Sequence, residues 1–266
     1  GISSKKSAIE ASVKISSGEL LITTDADCVS EKIWVSTMVS AYITTGAAMV
    51  CGPVALTGEK NLCEKFQELE MCGLSLLSGA GIKAGLPLLC NGANISYTRK
   101  AFEEVGGFND ISHTPSGDDT LLMFKMHKKW PGSVHYVKNQ DAIVYSHPQS
   151  TWNAFFNQRI RWASKGFSSK NRINSIISLL VFMANFMLLI SVIMALVCPF
   201  VIKIVAVGII LKLIVDFLLL SFAINFFRKN SVLLYYPLAS IIVMVYTNLV
   251  GIMANFKTYT WKGRTY

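Results

Sequence analysis

The chain has 266 residues, 52% of them hydrophobic and only 15% charged, against about 25% in an ordinary soluble domain. Its 25 Lys plus Arg outnumber its 16 Asp plus Glu, yet between Ile173 and Phe256 the only charged side chains are Lys203, Lys212, Asp216, Arg228 and Lys229. This excludes a single soluble domain, a disordered chain and a disulfide-stapled secreted module, and indicates a polar globular part joined to a membrane part.

The apolar spacing of Ala8, Ile9, Val13 and Ile15 predicts an amphipathic helix over 4–17, ended by Gly18. Residues 19–24 read as a short buried strand that stops at Asp25-Ala26-Asp27. A helix follows over 31–45, a strand over 47–56 with Gly52-Pro53 inside it, and a long helix over 59–78. Residues 86–97 read as a strand pair or a loop around Asn91-Gly92-Ala93-Asn94. Short helices are expected over 99–105 and 118–130, strands over 133–137 and 142–146, and an aromatic, Arg-rich helix over 151–167. Strands alternating with helices predict an α/β layer architecture.

Three apolar runs follow, 173–197, 201–227 and 232–256, each longer than the ~20 residues a membrane crossing needs. Cys198-Pro199-Phe200 is a tight turn, so the first two runs form a hairpin. Arg159, Arg161, Lys165, Lys170 and Arg172 precede the first run, and Arg228 and Lys229 separate the second from the third. This bias predicts a multi-pass protein of the plasma (inner) membrane with its globular part in the cytoplasm. Lys257, Lys262 and Arg264 strain that scheme, because three crossings would put them outside. Either the third segment is re-entrant or interfacial, or it breaks the positive-inside rule. Lys212 and Asp216, four residues apart, read first as a neutralising pair and second as part of a transport path.

The six cysteines form no CxxC and have no histidine at ligand spacing, so they read as free thiols of a reducing compartment. The first 172 residues carry only a small positive excess, which gives no nucleic-acid footprint. Gly1 to Glu19 is polar and Ser/Lys-rich, without a signal-peptide pattern. The chain starts without Met, inside a helix, and reads as a fragment of something longer.

Three clusters carry chemistry. Asp25 and Asp27 lie at the carboxyl end of a strand, where open α/β sheets bind ligands, and two carboxylates there suit a hard cation and its diphosphate; the plainer reading is a turn. Asp118 and Asp119 start a helix, as a cap or with Asp119 as a general base whose pKa neighbouring acids raise. Gln158, Arg161 and Trp162 share one helical face: the guanidinium suits a pyrophosphate and the indole a sugar ring. An interfacial aromatic helix beside a membrane has the same composition.

In order, Thr24-Asp25-Ala26-Asp27, Asn91-Gly92-Ala93-Asn94, Gly106-Gly107-Phe108, Gly117-Asp118-Asp119, Gln158-x-x-Arg161-Trp162 and Trp261-Lys262-Gly263-Arg264 resemble the membrane-bound family 2 glycosyltransferases, the group of cellulose, hyaluronan, chitin and poly-N-acetylglucosamine synthases. The resemblance implies a GT-A fold, here a partial one that lacks its first β/α units, followed by transmembrane helices. The implied domains are a catalytic part at 1–150, an interface helix at 151–172, a membrane region at 173–256 and a basic tail at 257–266. It implies an enzyme that moves a sugar with inversion from a nucleotide sugar, usually a UDP-sugar, to a growing glycan for the cell envelope. It further implies Mg²⁺ or Mn²⁺ on Asp27 and Asp25. Asp25, Asp27, Gln158 and Arg161 would bind the donor. Asp119 would be the base, and Trp162, Asn91, Asn94 and Asp118 would meet the acceptor.

Membrane lipids and accessory membrane subunits are expected partners, and nucleic acid is not. Transfer of a single sugar to a lipid-linked acceptor is the near alternative. An inactive membrane scaffold or transporter is the alternative from another class. A metal phosphodiesterase is disfavoured because His113, His127, His135 and His147 are scattered.

Overall fold

Short β-branched and apolar runs between polar turns give the strands, and longer two-faced segments give the helices that cover them. The computed structural model describes residues 4–58, 60–109, 117–166, 172–256, 260–261 and 264–265. They fall into two units, Gly1–Gly58 with Met71–Pro148, and Glu59–Glu70 with Gln149–Tyr266.

The first unit holds helices α1 (Ser4–Ile15), α2 (Trp34–Thr45), the later part of α3 (Leu62–Lys83), α4 (Arg99–Glu104) and α5 (Asp118–Lys129). Its strands are β1 (Leu20–Thr23), β2 (Val29–Ser30), β3 (Met49–Cys51), β4 (Val54–Leu56), β5 (Ile95–Thr98), β6 (Val134–Tyr136) and β7 (Val144–Ser146). One mixed sheet runs β1-β5-β3-β6, antiparallel except for the parallel β3–β6 pair. A second runs β2-β7-β4. The core on the first sheet is Met49, Leu122, Met123 and Met126, with Tyr97 stacked on Phe102 at 5.4 Å. Trp34, Met38, Val50 and Val144 fill a second core under α2.

The run expected as one strand over 47–56 is two, β3 and β4, in different sheets. Pro53 has no N–H to give, and the Gly52 N–H bonds the Asn94 carbonyl at 2.9 Å instead of a ladder partner. A Cβ on Gly52 would lie 2.4 Å from the Asn94 amide nitrogen, so only glycine fits that close approach. The 86–97 segment is a loop up to Asn94 and a strand only from Ile95. β2 is too short for an apolar pattern to announce it.

The second unit holds α6 (Trp152–Gly166), α7 (Arg172–Val197), α8 (Ile202–Phe227), α9 (Tyr236–Phe256), the first turns of α3, and a small pair of β8 (Thr260–Trp261) and β9 (Arg264–Thr265). Three segments are long and apolar enough to cross a membrane: Arg172–Val197, Pro199–Phe227 and Asn230–Ala254. α7 and α8 are joined by a single 3₁₀ turn at Pro199–Val201, as the hairpin requires. Lys212 and Asp216 form the expected ion pair along α8. Of the expected interface helix and tail, Phe167–Asn171, Lys257–Tyr259, Lys262, Gly263 and Tyr266 lie outside the described residues.

Candidate active site

β1 ends at Thr23, and the chain reverses at once: the Cys28 N–H bonds the Asp25 carbonyl at 3.1 Å. That turn leaves Asp25 partly buried and Asp27 exposed. The Thr23 hydroxyl lies 3.5 Å from the Gly92 carbonyl, which sets the Asn91–Asn94 loop beside the end of β1. Gly117, in the left-handed region at φ 81°, turns the chain into α5, so both Asp118 and Asp119 sit in the first helical turn.

Asp119 is where these elements meet. Its Oδ2 accepts the Gly92 N–H at 2.7 Å and its Oδ1 the Thr120 N–H at 2.7 Å. Burial raises its pKa first and the Asp118 charge second, against the pull of those two N–H groups and of Lys5. A base with a raised pKa holds its proton more firmly once taken. Gly117 holds the N-cap position and Asp118 is the first residue of the helix, so Asp118 is not the cap residue.

Asp118 and Asp119 line a cavity of about 580 Å³ with Thr23, Thr24, Gly92 and Lys5. Lys5 comes from α1 and pairs with Asp25 Oδ1 at 2.7 Å, both side chains about two-fifths exposed. Burial lowers the Lys5 pKa, but Asp25, Asp118 and Asp119 together leave it raised, so the ammonium stays charged among the acids. The sequence reading missed Lys5, because a lysine in an amphipathic helix looks like a solvated face.

Asn94 is corrected. It is fully buried, its amide nitrogen donates to the Pro53 and Ala142 carbonyls at 2.8 and 2.7 Å, and its oxygen accepts the Trp34 indole N–H at 3.0 Å. It holds the loop and both sheets together and has no polar atom left for an acceptor sugar. Asn91 is partly exposed and uses its oxygen to accept the Ala93 N–H at 3.1 Å, closing a local turn.

Among the described residues, no three His, Cys, Asp or Glu side chains gather closely enough to hold a metal alone. Asp25 and Asp27 are a two-carboxylate set. They fit Mg²⁺ or Mn²⁺ only where water and a diphosphate supply the other oxygens, which is how such cations bind with nucleotides.

In the second unit α6 carries Gln158, Arg161 and Trp162, all partly buried. The residue between them, Arg159, was not singled out from the sequence. Its guanidinium is 4% exposed and lies 4.2 Å from the Trp162 ring centre and 4.6 Å from that of Phe155. Its Nε donates to Glu70 at 2.8 Å, and the same carboxylate accepts the Tyr246 hydroxyl. Burial alone would lower the Arg159 pKa; Glu70 outweighs it and keeps the charge. Gln158 accepts from Arg159. Arg159 and Glu70 are 89 positions apart, so no local spacing could have revealed this network.

Residues 20–256 match the family described as Glycosyl transferase family group 2. The chain belongs to that family. Its first unit is a GT-A-like glycosyltransferase domain with mixed sheets, and three long apolar helices that could span a membrane follow it. Over 162 residues, 60% of this chain, it is 25% identical to "Probable glycosyltransferase YdaM" of Bacillus subtilis (strain 168). The chain matches only 37% of that relative's length. Among solved structures, S. aureus TarS 1–349 is similar at 12% identity and its complex with UDP-GlcNAc at 13%. Each comparison covers 96% of this chain and 73% or 74% of TarS, with a TM-score of 0.36.

Proposed function

We propose that the protein is an inverting glycosyltransferase of the membrane-bound synthase type, taking a sugar from a nucleotide sugar to a growing glycan. The observation that carries the reading is the half-buried Asp119 carboxylate, bonded to Gly92 and facing a cavity shared with Asp118 and Lys5. In the reaction an acceptor hydroxyl attacks the anomeric carbon. The new C–O bond forms as the bond from that carbon to the diphosphate breaks, and the hydroxyl proton passes to Asp119. Asp118 sits beside it on the acceptor side, with the Asn91 loop.

Asp27, with Asp25 as the second carboxylate, would hold Mg²⁺ or Mn²⁺, and the ion would supply Lewis-acid stabilisation of the departing diphosphate. Gln158 and Arg161 brace that diphosphate, and Trp162 offers its ring to the acceptor sugar. The motif resemblance supports UDP as the nucleotide. The basic residues before α7 support a cytoplasmic catalytic domain on a plasma (inner) membrane, with lipids and accessory subunits as partners.

The test is a UDP-sugar panel with Mg²⁺ or Mn²⁺ on the full-length protein in membranes, reading released nucleotide and product length. Asp119→Asn is expected to lower turnover about 10²–10⁴-fold with donor affinity kept. An Asn variant that turns over normally, or no release from any donor, would overturn the reading.

A further inference from the structure

Between Gln158 and Arg161 of α6 stands an arginine that cannot share their contact with a ligand. Arg159 is 4% exposed, and each of its three nitrogens already donates. Nε and Nη2 give to Glu70 Oε2, the first at 2.8 Å, and Nη1 gives to Gln158 Oε1. A buried ion pair is a poor source of stability, because taking both charges out of water offsets much of their attraction. An apolar side chain could fill the same space. It could not aim its neighbours, and Arg159 holds two of them, Gln158 and Trp162.

A guanidinium carries only donors, so the Gln158 atom that meets it must be the amide oxygen. That contact leaves the Gln158 NH₂ as the polar group the side chain can offer. Two N–H donors suit the oxygens of a diphosphate; an amide turned the other way would present an oxygen and repel them. Trp162 is held by its ring. The guanidinium carbon lies over it, 4.2 Å from the ring centre, and over the fully buried Phe155 ring at 4.6 Å. The cation thus covers one face of the indole, and a sugar can stack only on the other. Glu70, which anchors the arginine, is itself held from α9. Its Oε1 accepts the Tyr246 hydroxyl, and the Tyr246 ring meets Phe66 and Phe155 at 5.7 and 5.4 Å. All these residues belong to the second unit.

We propose that Arg159 is a positioning residue for sugar transfer: anchored by Glu70 and Tyr246, it turns the Gln158 amide so that a diphosphate meets its N–H groups, and presents one face of Trp162 to the acceptor sugar. The proposal rests on the roles given above to Gln158 and Trp162. It adds that the geometry of this segment is set from α3 and α9, by residues that bind no substrate themselves.

The experiment uses the full chain in detergent, with its five tryptophans replaced by fluorotryptophan. The Trp162 fluorine signal is the one lost in Trp162→Phe. Arg159→Lys keeps a charge for Glu70 but loses the flat plate that covers two rings, and Tyr246→Phe removes only the hydroxyl bond to Glu70. Both are expected to shift the Trp162 signal, Arg159→Lys the more, while those of Trp34 and Trp130 stay in place. On membranes, with a donor that the UDP-sugar panel identifies, Arg159→Lys is expected to lower kcat about ten-fold and Tyr246→Phe about two-fold, with the donor KM within about two-fold. An arginine that only stabilises the fold would lower the thermal midpoint and leave both signal and kcat unchanged below it. A Trp162 signal at its original position in Tyr246→Phe, the variant that keeps the ion pair, overturns the proposal, and so does a kcat that stays constant while the signal moves. If the unaltered protein releases nucleotide from no donor, the transferase reading fails, and the fluorine signal alone decides whether Arg159 positions the ring.

Discussion

Asp119 Oδ2 accepts the backbone N–H of Gly92, 27 residues earlier in the chain, at 2.7 Å. The bond fixes one carboxylate oxygen from the Asn91–Asn94 loop, so the acid's direction depends on a loop that carries no charge. It also explains why that loop position is a glycine. A Cβ there would stand 3.1 Å from the same oxygen and 3.3 Å from the Asp119 Cβ.

Gly92→Ala is therefore expected to push Asp119 by a few tenths of an ångström and lower kcat about ten-fold, since misplacing a reacting group by about 1 Å can cost ~10² in rate. The donor KM should stay near its original value. Steady-state kinetics on membranes check this, and an unchanged kcat counts against Asp119 as the base.

Asp118→Asn is expected to move the acid limb of the kcat/KM profile to lower pH. Burial holds the Asp119 pKa up first, and the Asp118 charge adds to it. The base works deprotonated, so the rate falls as pH drops through that pKa. Removing the neighbouring charge lowers the pKa, and the fall begins at a lower pH. A limb that stays in place would show that another group sets it.

Asn94→Ala is expected to destabilise the first unit by about 3 kcal/mol. The Trp34 indole N–H and the Pro53 and Ala142 carbonyls would lose their partner inside the core. A fall of roughly 6–12 °C in thermal midpoint should appear in detergent, at about 2–4 °C per kcal/mol.

Glu70→Gln leaves the Arg159 guanidinium buried beside a neutral amide, and about 3–5 kcal/mol of stability should go with it. Tyr246→Phe keeps the ion pair and removes one hydrogen bond to it, for about 1 kcal/mol. The double change Glu70→Gln with Arg159→Met should recover part of the larger loss. Thermal midpoints of the four proteins measure all three values, and equal losses from Glu70→Gln and Tyr246→Phe would refute the ranking.

Much of the architecture was legible because period and punctuation agree. The 3.6-residue spacing in α1 and α5, the apolar run before Asp25 and the lengths of α7 and α8 all announce themselves locally. The break at Gly52-Pro53 was visible as residues but was placed inside one strand. The reason the strand must break, the close approach of Asn94, comes from 42 residues away. Asp118 and Asp119 could be singled out as an acidic pair. The N–H from Gly92 could not, because backbone donors leave no mark in composition. Asn94 misled for the opposite reason: a polar residue in a glycine loop looks like a ligand contact until its burial is known. Arg159 stood in plain view inside the Gln158–Trp162 segment, but its partners Glu70 and Tyr246 lie on α3 and α9.

The strand order has a consequence for synthesis. β5 sits between β1 and β3 and bonds both, so neither strand can make that pairing until residue 98 has left the ribosome. Insertion of that central strand beside β1, whose end leads into the Asp25 turn, is a non-local step of the kind that slows folding.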